Sequence, residues 1–346
     1  MGFLENKLTL VTAFVLVSIQ LLCNGEIIYT IGVNYGFNGD NFPAPKDVVA
    51  LYKRCGIPYM RIFEPNHDIL EALRGSEIIL SMGMRNVDIQ NLSSSQDAAN
   101  SWVNTHVQPY ANDVKFGWIT VGNEAVPGPY ASYIGQAMTN VNKAISSIGL
   151  SSIKVTTVIN LNALSGSFPP SAGAFSDEAL EPMKSISQYF TSSSSSAPLM
   201  VNVYPYFAHV ADPEHVSFDY ATFNAKDPVV DGNLKYFNSF DAMIDAVYAA
   251  MEKINAGNVP LAVAETGWPT AGNDPYTSKD NSDCYNQNLF VHVKSNGTPR
   301  KPDQLLTVFL FEMFNEDQKE AGIEQNFGLF YPNMQPVYPY FENCLT

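Results

Sequence analysis

The sequence predicts a single (β/α)8 barrel, and three observations carry that expectation. Eight short runs rich in β-branched and aromatic residues recur along the 346 residues. Amphipathic stretches of helical period lie between most of them, and strand alternating with helix implies parallel pairing. Two of the runs close on a carboxylate: Phe116-Gly-Trp-Ile-Thr-Val-Gly-Asn-Glu124 and Pro260-Leu-Ala-Val-Ala-Glu265. A carboxylate at the end of a buried parallel strand is badly placed for packing. In a barrel, that end is the rim where active sites are built.

The elements follow in order. A polar start with Lys7 precedes the apolar run Leu8 to Leu22 and then Cys23-Asn24-Gly25. This run is shorter than the roughly 20 residues a membrane span needs, so residues 1–25 are expected to be a cleavable secretory signal, leaving one domain over 26–346. Strand-like runs then fall at Ile31 to Tyr35, Tyr59 to Phe63, Ile78 to Met82, Phe116 to Val121, Ile153 to Ile159, Leu199 to Tyr204, Leu261 to Ala264 and Leu305 to Phe311. Helical periodicity covers Ala44 to Cys55, Ala98 to Tyr110, Tyr130 to Ile148 and Ser239 to Asn255. The stretch Thr191 to Ser196 reads as a flexible surface loop. An open doubly wound sheet is the alternative, but Gly32-Val-Asn-Tyr-Gly36 lacks the spacing of a phosphate-binding turn.

Composition narrows the partners. A net charge of −15 argues against nucleic acid and anionic membranes and suits a neutral or cationic ligand. Loss of the signal leaves Cys55, Cys284 and Cys344, an odd number, so at most one internal disulfide and one free thiol are expected. Cys55 reads as a buried small hydrophobe. Of five scattered histidines only His209 and His215 lie close together, and neither a metal nor a cofactor is expected. Asn91-Leu-Ser93 and Asn296-Gly-Thr298 are glycosylation sequons open to a secreted chain.

Two carboxyls facing each other across a barrel mouth can cut a glycosidic bond. One protonates the leaving oxygen; the other attacks the anomeric carbon or activates water. Glu124 and Glu265 are the candidates, against the reading of two ordinary surface glutamates. Asn123 can hold a sugar hydroxyl. Trp268, in Thr266-Gly-Trp-Pro269, offers an indole for sugar stacking, with core filling as the competitor. Asn202-Val-Tyr-Pro-Tyr-Phe207 ends the sixth run with aromatics, and the Tyr204 hydroxyl could hold a nucleophile ionised. Glu316 and Lys319 are three apart, near enough to pair on a turn, and spacing alone favours a solvated salt bridge.

At these motifs the chain resembles the plant β-1,3-glucanases of glycoside hydrolase family 17. The match runs through Ile31-Gly-Val-Asn-Tyr-Gly36, Met60-Arg-Ile62, Ala72-Leu-Arg-Gly-Ser76, Val121-Gly-Asn-Glu124, Ser167-Phe-Pro-Pro-Ser-Ala-Gly-Ala-Phe175, Asn202 to Phe207, Glu265-Thr-Gly-Trp-Pro269, Phe314-Asn-Glu316 with Lys319, and Phe327-Gly-Leu-Phe330. The resemblance implies a (β/α)8 barrel and endo-hydrolysis of β-1,3-glucan with retention, hence carboxyls about 5 Å apart. By motif, Glu124 falls at the family's acid/base and Glu265 at its nucleophile. Glu316, Lys319 and Glu324 fall on charged residues beside the cleft, and Tyr35, Asn123, Tyr204, Phe207 and Phe314 on positions lining it. Phe63, Asp40 and Met84-Arg-Asn86 depart from the usual residues and bear on subsite preference. The expectation is a monomer secreted to the cell wall or apoplast rather than the vacuole, since the chain stops soon after Pro339-Tyr-Phe341. Mixed-linkage β-1,3-1,4-glucan hydrolysis, transglycosylation, and glucan binding with vestigial activity are the alternatives.

Overall fold

The computed structural model describes residues 22–23, 26–27, 31–192, 196–294 and 297–339. Most of residues 1–25, Asn296 of the second sequon and Cys344 lie outside these. Eight parallel strands close into a barrel: β1 Ile31–Asn34, β2 Tyr59–Ile62, β3 Ile79–Met84, β4 Lys115–Asn123, β5 Lys154–Asn160, β6 Leu199–Asn202, β7 Leu261–Thr266 and β8 Val308–Leu310. Each pairs with its sequence neighbours, and β8 closes on β1. All eight runs expected as strands are therefore strands of one barrel.

The outer layer follows from amphipathic sequence. Helix α1, Pro45–Arg54, has proline in its first turn and buries Val48, Val49, Leu51 and Tyr52. In α2, His67–Leu73, the Asn66 side chain accepts the backbone N–H groups of Asp68 and Ile69, satisfying donors that a helix start leaves free. Helix α3, Ile89–Ser94, presents the sequon residue Asn91 to solvent. Around the rest of the barrel run α4, Gln96–His106; α5, Ile134–Ser147; α6, Asp177–Ser192; α7, Pro205–Ala211; α8, Phe218–Ala221; α9, Ser239–Lys253; and α10, Lys279–Val293.

Two expectations are corrected here. Thr191 and Ser192 are not loop: they finish α6, and their hydroxyls donate back to the carbonyls of Ser187 and Gln188. Serine and threonine tolerate a final helical turn when they can bond to carbonyls there. Cys55 is not merely a packed thiol: it is disulfide-bonded, whereas Cys284 is free.

The strands that end in the two glutamates are both irregular. On β6 and β7, Val201 pairs with Val263, but the next pair is Asn202 with Glu265, so β7 carries one extra residue. Val158, Met200, Ala262 and Ala264 pack as one layer with Trp118 inside the barrel. Strict alternation would then send Glu265 outward; the extra residue turns it in. Strand β4 gains its extra residue between Thr120 and Asn123, around Gly122 at φ 84°. A side chain on Gly122 would meet Ile89 at 2.8 Å.

Candidate active site

Six strand ends supply the site. From β2 comes Arg61, wholly buried in an otherwise apolar strand. Its Nη1 donates to Asn34 Oδ1 of β1 at 2.9 Å and to Glu265 Oε1 at 3.0 Å, and its Nη2 donates to Asn123 Oδ1 at 2.9 Å. One guanidinium thus locks three strand ends to a carboxylate, with Phe63 lying under it at 4.5 Å. That contact accounts for the ring at position 63, where no hydroxyl is needed. Asn34 is held in turn, its Nδ2 donating to the carbonyls of Ala264 and Leu310 at 3.0 Å each.

Glu265 is buried and takes a second donor, the Tyr204 hydroxyl, at 3.0 Å on Oε2. Burial first, then the neighbouring Glu265 charge, pushes the Tyr204 hydroxyl well above its usual pKa, so it stays a donor. Glu124 is treated differently. It follows β4 in left-handed backbone at φ 52°, a conformation non-glycine residues seldom adopt and that persists only where the surroundings enforce it. Its N–H donates to the Val158 carbonyl at 2.9 Å, and Asn86 clamps Asn123 through both backbone groups at 2.9 Å. The Glu124 carboxyl meets amides rather than a cation. Asn202 Nδ2 donates to Oε1 at 2.6 Å, and the Asn160 side chain lies close enough to the carboxyl to favour its ionised form. Burial, then the charge of Glu265, raises the pKa of Glu124, and the amides of Asn202 and Asn160 only partly offset this. The pair can therefore hold one proton on Glu124 while Arg61 compensates a charge on Glu265.

A second cluster lies beyond β8. Lys319 Nζ reaches Glu316 Oε2 at 2.6 Å and Glu312 Oε1 at 3.2 Å, with both carboxylates 1% exposed. The expectation of a solvated salt bridge is corrected, because the chain after β8 folds over these groups and seals them. Burial disfavours the Lys319 charge, but the two glutamates outweigh it and raise its pKa. Glu316 Oε1 also accepts the Asn38 N–H at 2.8 Å, and a side chain on Gly36 would strike that oxygen. Tyr35 and Phe314 pack edge to face beside it, and burial followed by the Glu316 charge pushes Tyr35 up to about 12. Lys319 sits 4.3 Å over Phe311, which packs edge-on against Tyr204 and so joins the two clusters.

Other sequence candidates fall elsewhere. Trp268 is 1% exposed, donates its indole N–H to the Tyr276 carbonyl at 2.9 Å, and packs among Tyr206, His209, Phe218 and Tyr285. It fills core and offers no face to a sugar. Phe207, 44% exposed against Tyr204, is the ring left open at this rim. Glu324 sits on the turn Ile323–Gln325 outside the Lys319 cluster. Glu312 holds the lysine instead, while Gln325 donates to the Lys319 carbonyl at 2.9 Å. Asp40 is exposed, and its N–H donates to Asp317 at 3.3 Å. Sequence reasoning missed Arg61, Asn34, Asn160 and Glu312. An arginine inside Tyr59-Met-Arg-Ile62 and a glutamate inside Leu310-Phe-Glu-Met313 were the signals available, since a buried charge needs a built partner.

A barrel with two unlike carboxyls on its rim is the architecture of a glycoside hydrolase. Residues 31–340 match the glycosyl hydrolases family 17. The chain is 45% identical over 316 residues to a glucan endo-1,3-beta-glucosidase of Vitis vinifera, covering 89% of this chain and 90% of that one. It is 44% identical to Lichenase-2 of Hordeum vulgare, covering 90% and 98%. The solved structure of a beta-1,3-glucanase and allergen of Cryptomeria japonica pollen superposes with a TM-score of 0.85 at 43% identity, covering 90% and 98%. The chain belongs to glycosyl hydrolases family 17.

Proposed function

We propose that this protein is a retaining endo-β-1,3-glucan hydrolase in which Glu265 is the nucleophile and Glu124 the acid/base. The observation that carries this is the unequal surroundings of the two carboxyls. Glu265 has a guanidinium at 3.0 Å and a tyrosine hydroxyl at 3.0 Å, whereas Glu124 has amides and a raised pKa. Glu265 attacks the anomeric carbon as Glu124 protonates the departing oxygen; Glu124 then takes a proton from the hydrolytic water. The glucan specificity rests on the relatives, of which the Vitis vinifera protein is named for this linkage. Lichenase-2 at 44% identity makes mixed-linkage glucan the second substrate to assay.

Secretion to the cell wall or apoplast belongs to the same proposal, supported by the apolar run Leu8 to Leu22 before a polar break. N-terminal sequencing of the protein recovered from a secreting host tests it, with a start near Glu26 expected. Turnover of laminarin beside Glu265→Gln tests the chemistry. Release of oligosaccharides that the substitution abolishes, with the β-anomer formed first by NMR, is expected. Binding without release would sink the hydrolase reading. Because the acid must be protonated, kcat/KM should fall as pH rises through the pKa of Glu124, which is raised from the ordinary glutamate value.

A further inference from the structure

Between the two glutamates the rim is formed by the ends of β5 and β6, and each end offers an asparagine. Asn202 is in register with Asn160 on one side and with Glu265 on the other. Both amides turn to Glu124. Asn202 Nδ2 donates to Oε1 at 2.6 Å, and the Asn160 side chain lies close enough to the same carboxyl to favour its ionised form. The Oδ1 of Asn160 already accepts the Asn162 N–H at 3.0 Å, which leaves its Nδ2 for Glu124. Asn202 is 2% exposed, and its Oδ1 is sealed without a hydrogen-bond partner among the described residues. Leaving a buried carbonyl idle is costly, and the one bond the side chain makes among the described residues is to Glu124.

A protonated carboxyl has a single donor. An N–H already directed at Oε1 leaves the proton to Oε2. We propose that Asn202 and Asn160 are positioning residues that keep the proton of Glu124 on Oε2 and present it to the leaving glycosidic oxygen. This rests on the reading of Glu124 as the acid. In that step the Oε2 proton passes to the glycosidic oxygen, which keeps the electron pair of the breaking C1–O bond, while a Glu265 carboxylate oxygen bonds to C1. The same amides then receive the Glu124 carboxylate, ready to take a proton from water. Asn202 lies in the motif Asn202 to Phe207 expected to line the sugar cleft, but at 2% exposure its amide serves Glu124 instead.

The test compares laminarin with a dinitrophenyl β-laminaribioside, whose leaving group departs without protonation. Asn202→Ala should lower kcat on laminarin on the order of 10²-fold, the lower end of a general-acid contribution. On the aryl substrate kcat/KM, which reports only the glycosylation step, should lose no more than about threefold, because assistance to that leaving group is not needed. The alkaline limb of kcat/KM should move up, since removing a donor to the carboxylate favours its protonated form. Asn160→Ala should show the same pattern more weakly, and serves if Asn202→Ala fails to fold by circular dichroism. Equal losses on both substrates with an unmoved alkaline limb would overturn the proposal in favour of a structural or sugar-binding role. Glu124→Ala is the reference. If it loses the aryl substrate as heavily as laminarin even with azide to replace the base, the reading of Glu124 itself has failed, whatever the asparagines do.

Discussion

The protein holds two clusters of the same composition, two glutamates and one cation, and they are built to opposite ends. At the rim the cation is given to one partner: Arg61 contacts Glu265 at 3.0 Å, while Glu124 has amides. After β8 the cation is shared, with Lys319 at 2.6 Å from Glu316 and 3.2 Å from Glu312. Sharing offsets part of the charge of a buried pair and ties the chain after β8 to β1. Unequal partnering leaves Glu124 with a raised pKa, which the proposed acid role requires. A carboxylate pair becomes reactive through the asymmetry of its neighbours.

The sharpest way to break that comparison is to make the same change in each cluster. Glu265→Gln should lower laminarin turnover on the order of 10⁴-fold or more, as removal of a nucleophile does. Glu316→Gln should lower it by about tenfold or less, its larger effect falling on the thermal midpoint. Comparable losses of turnover would mean that the second cluster also takes part in chemistry. Next in size is Arg61→Lys. Lysine keeps the charge but cannot reach Asn34, Asn123 and Glu265 together, so turnover should fall roughly 10- to 10²-fold, one or two charge-assisted bonds being lost. A variant as active as the parent would show that charge alone, without the fork, organises the rim.

Lys319→Met probes the sealed cluster. Stranding two buried carboxylates should cost about 3–5 kcal/mol at neutral pH, measured by urea unfolding. The pH dependence has a definite sign. Burial already raises Glu312 well above the usual range, with Lys319 opposing. Without the lysine its folded pKa rises further, so the folded state binds more protons than the unfolded one and stability falls as pH rises. The deficit should therefore be smaller at pH 5 than at pH 8. A deficit independent of pH would mean that lost packing, rather than stranded charge, is the cause.

Much of this could be read in the sequence and some could not, for one physical reason. Strands announce themselves by local composition, so all eight were legible, as were Glu124 and Glu265 at the ends of apolar runs. What local pattern cannot carry is a register shift between strands. The extra residue that turns Glu265 inward exists only relative to β6, and the one around Gly122 only relative to β5. Glu312 was hidden because its partner Lys319 reaches it from a chain segment that doubles back, so spacing pointed to Glu316 alone. Asn160 and Asn202, 42 positions apart by their numbers, become neighbours only through pairing of β5 with β6.

Trp268 gives the smallest expected effect and the finest test of which aromatics face the glucan. Its indole is enclosed by Tyr206, His209, Phe218 and Tyr285, three residues beyond Glu265. Trp268→Phe keeps an aromatic there but leaves a void and removes one of two donors to the Tyr276 carbonyl, Asn281 Nδ2 at 3.1 Å being the other, so stability should fall by about 1–3 kcal/mol. KM for laminarin should change less than about twofold, because a side chain 1% exposed binds no sugar. Phe207→Ala should do the reverse, since at 44% exposure its ring is available to stack while burying little. It should raise KM roughly three- to tenfold, as loss of a modest aromatic contact would, and leave the thermal midpoint nearly unmoved. If Trp268→Phe raised KM and Phe207→Ala did not, the indole would have to open to the cleft when glucan binds. The division between core ring and rim ring would then fail.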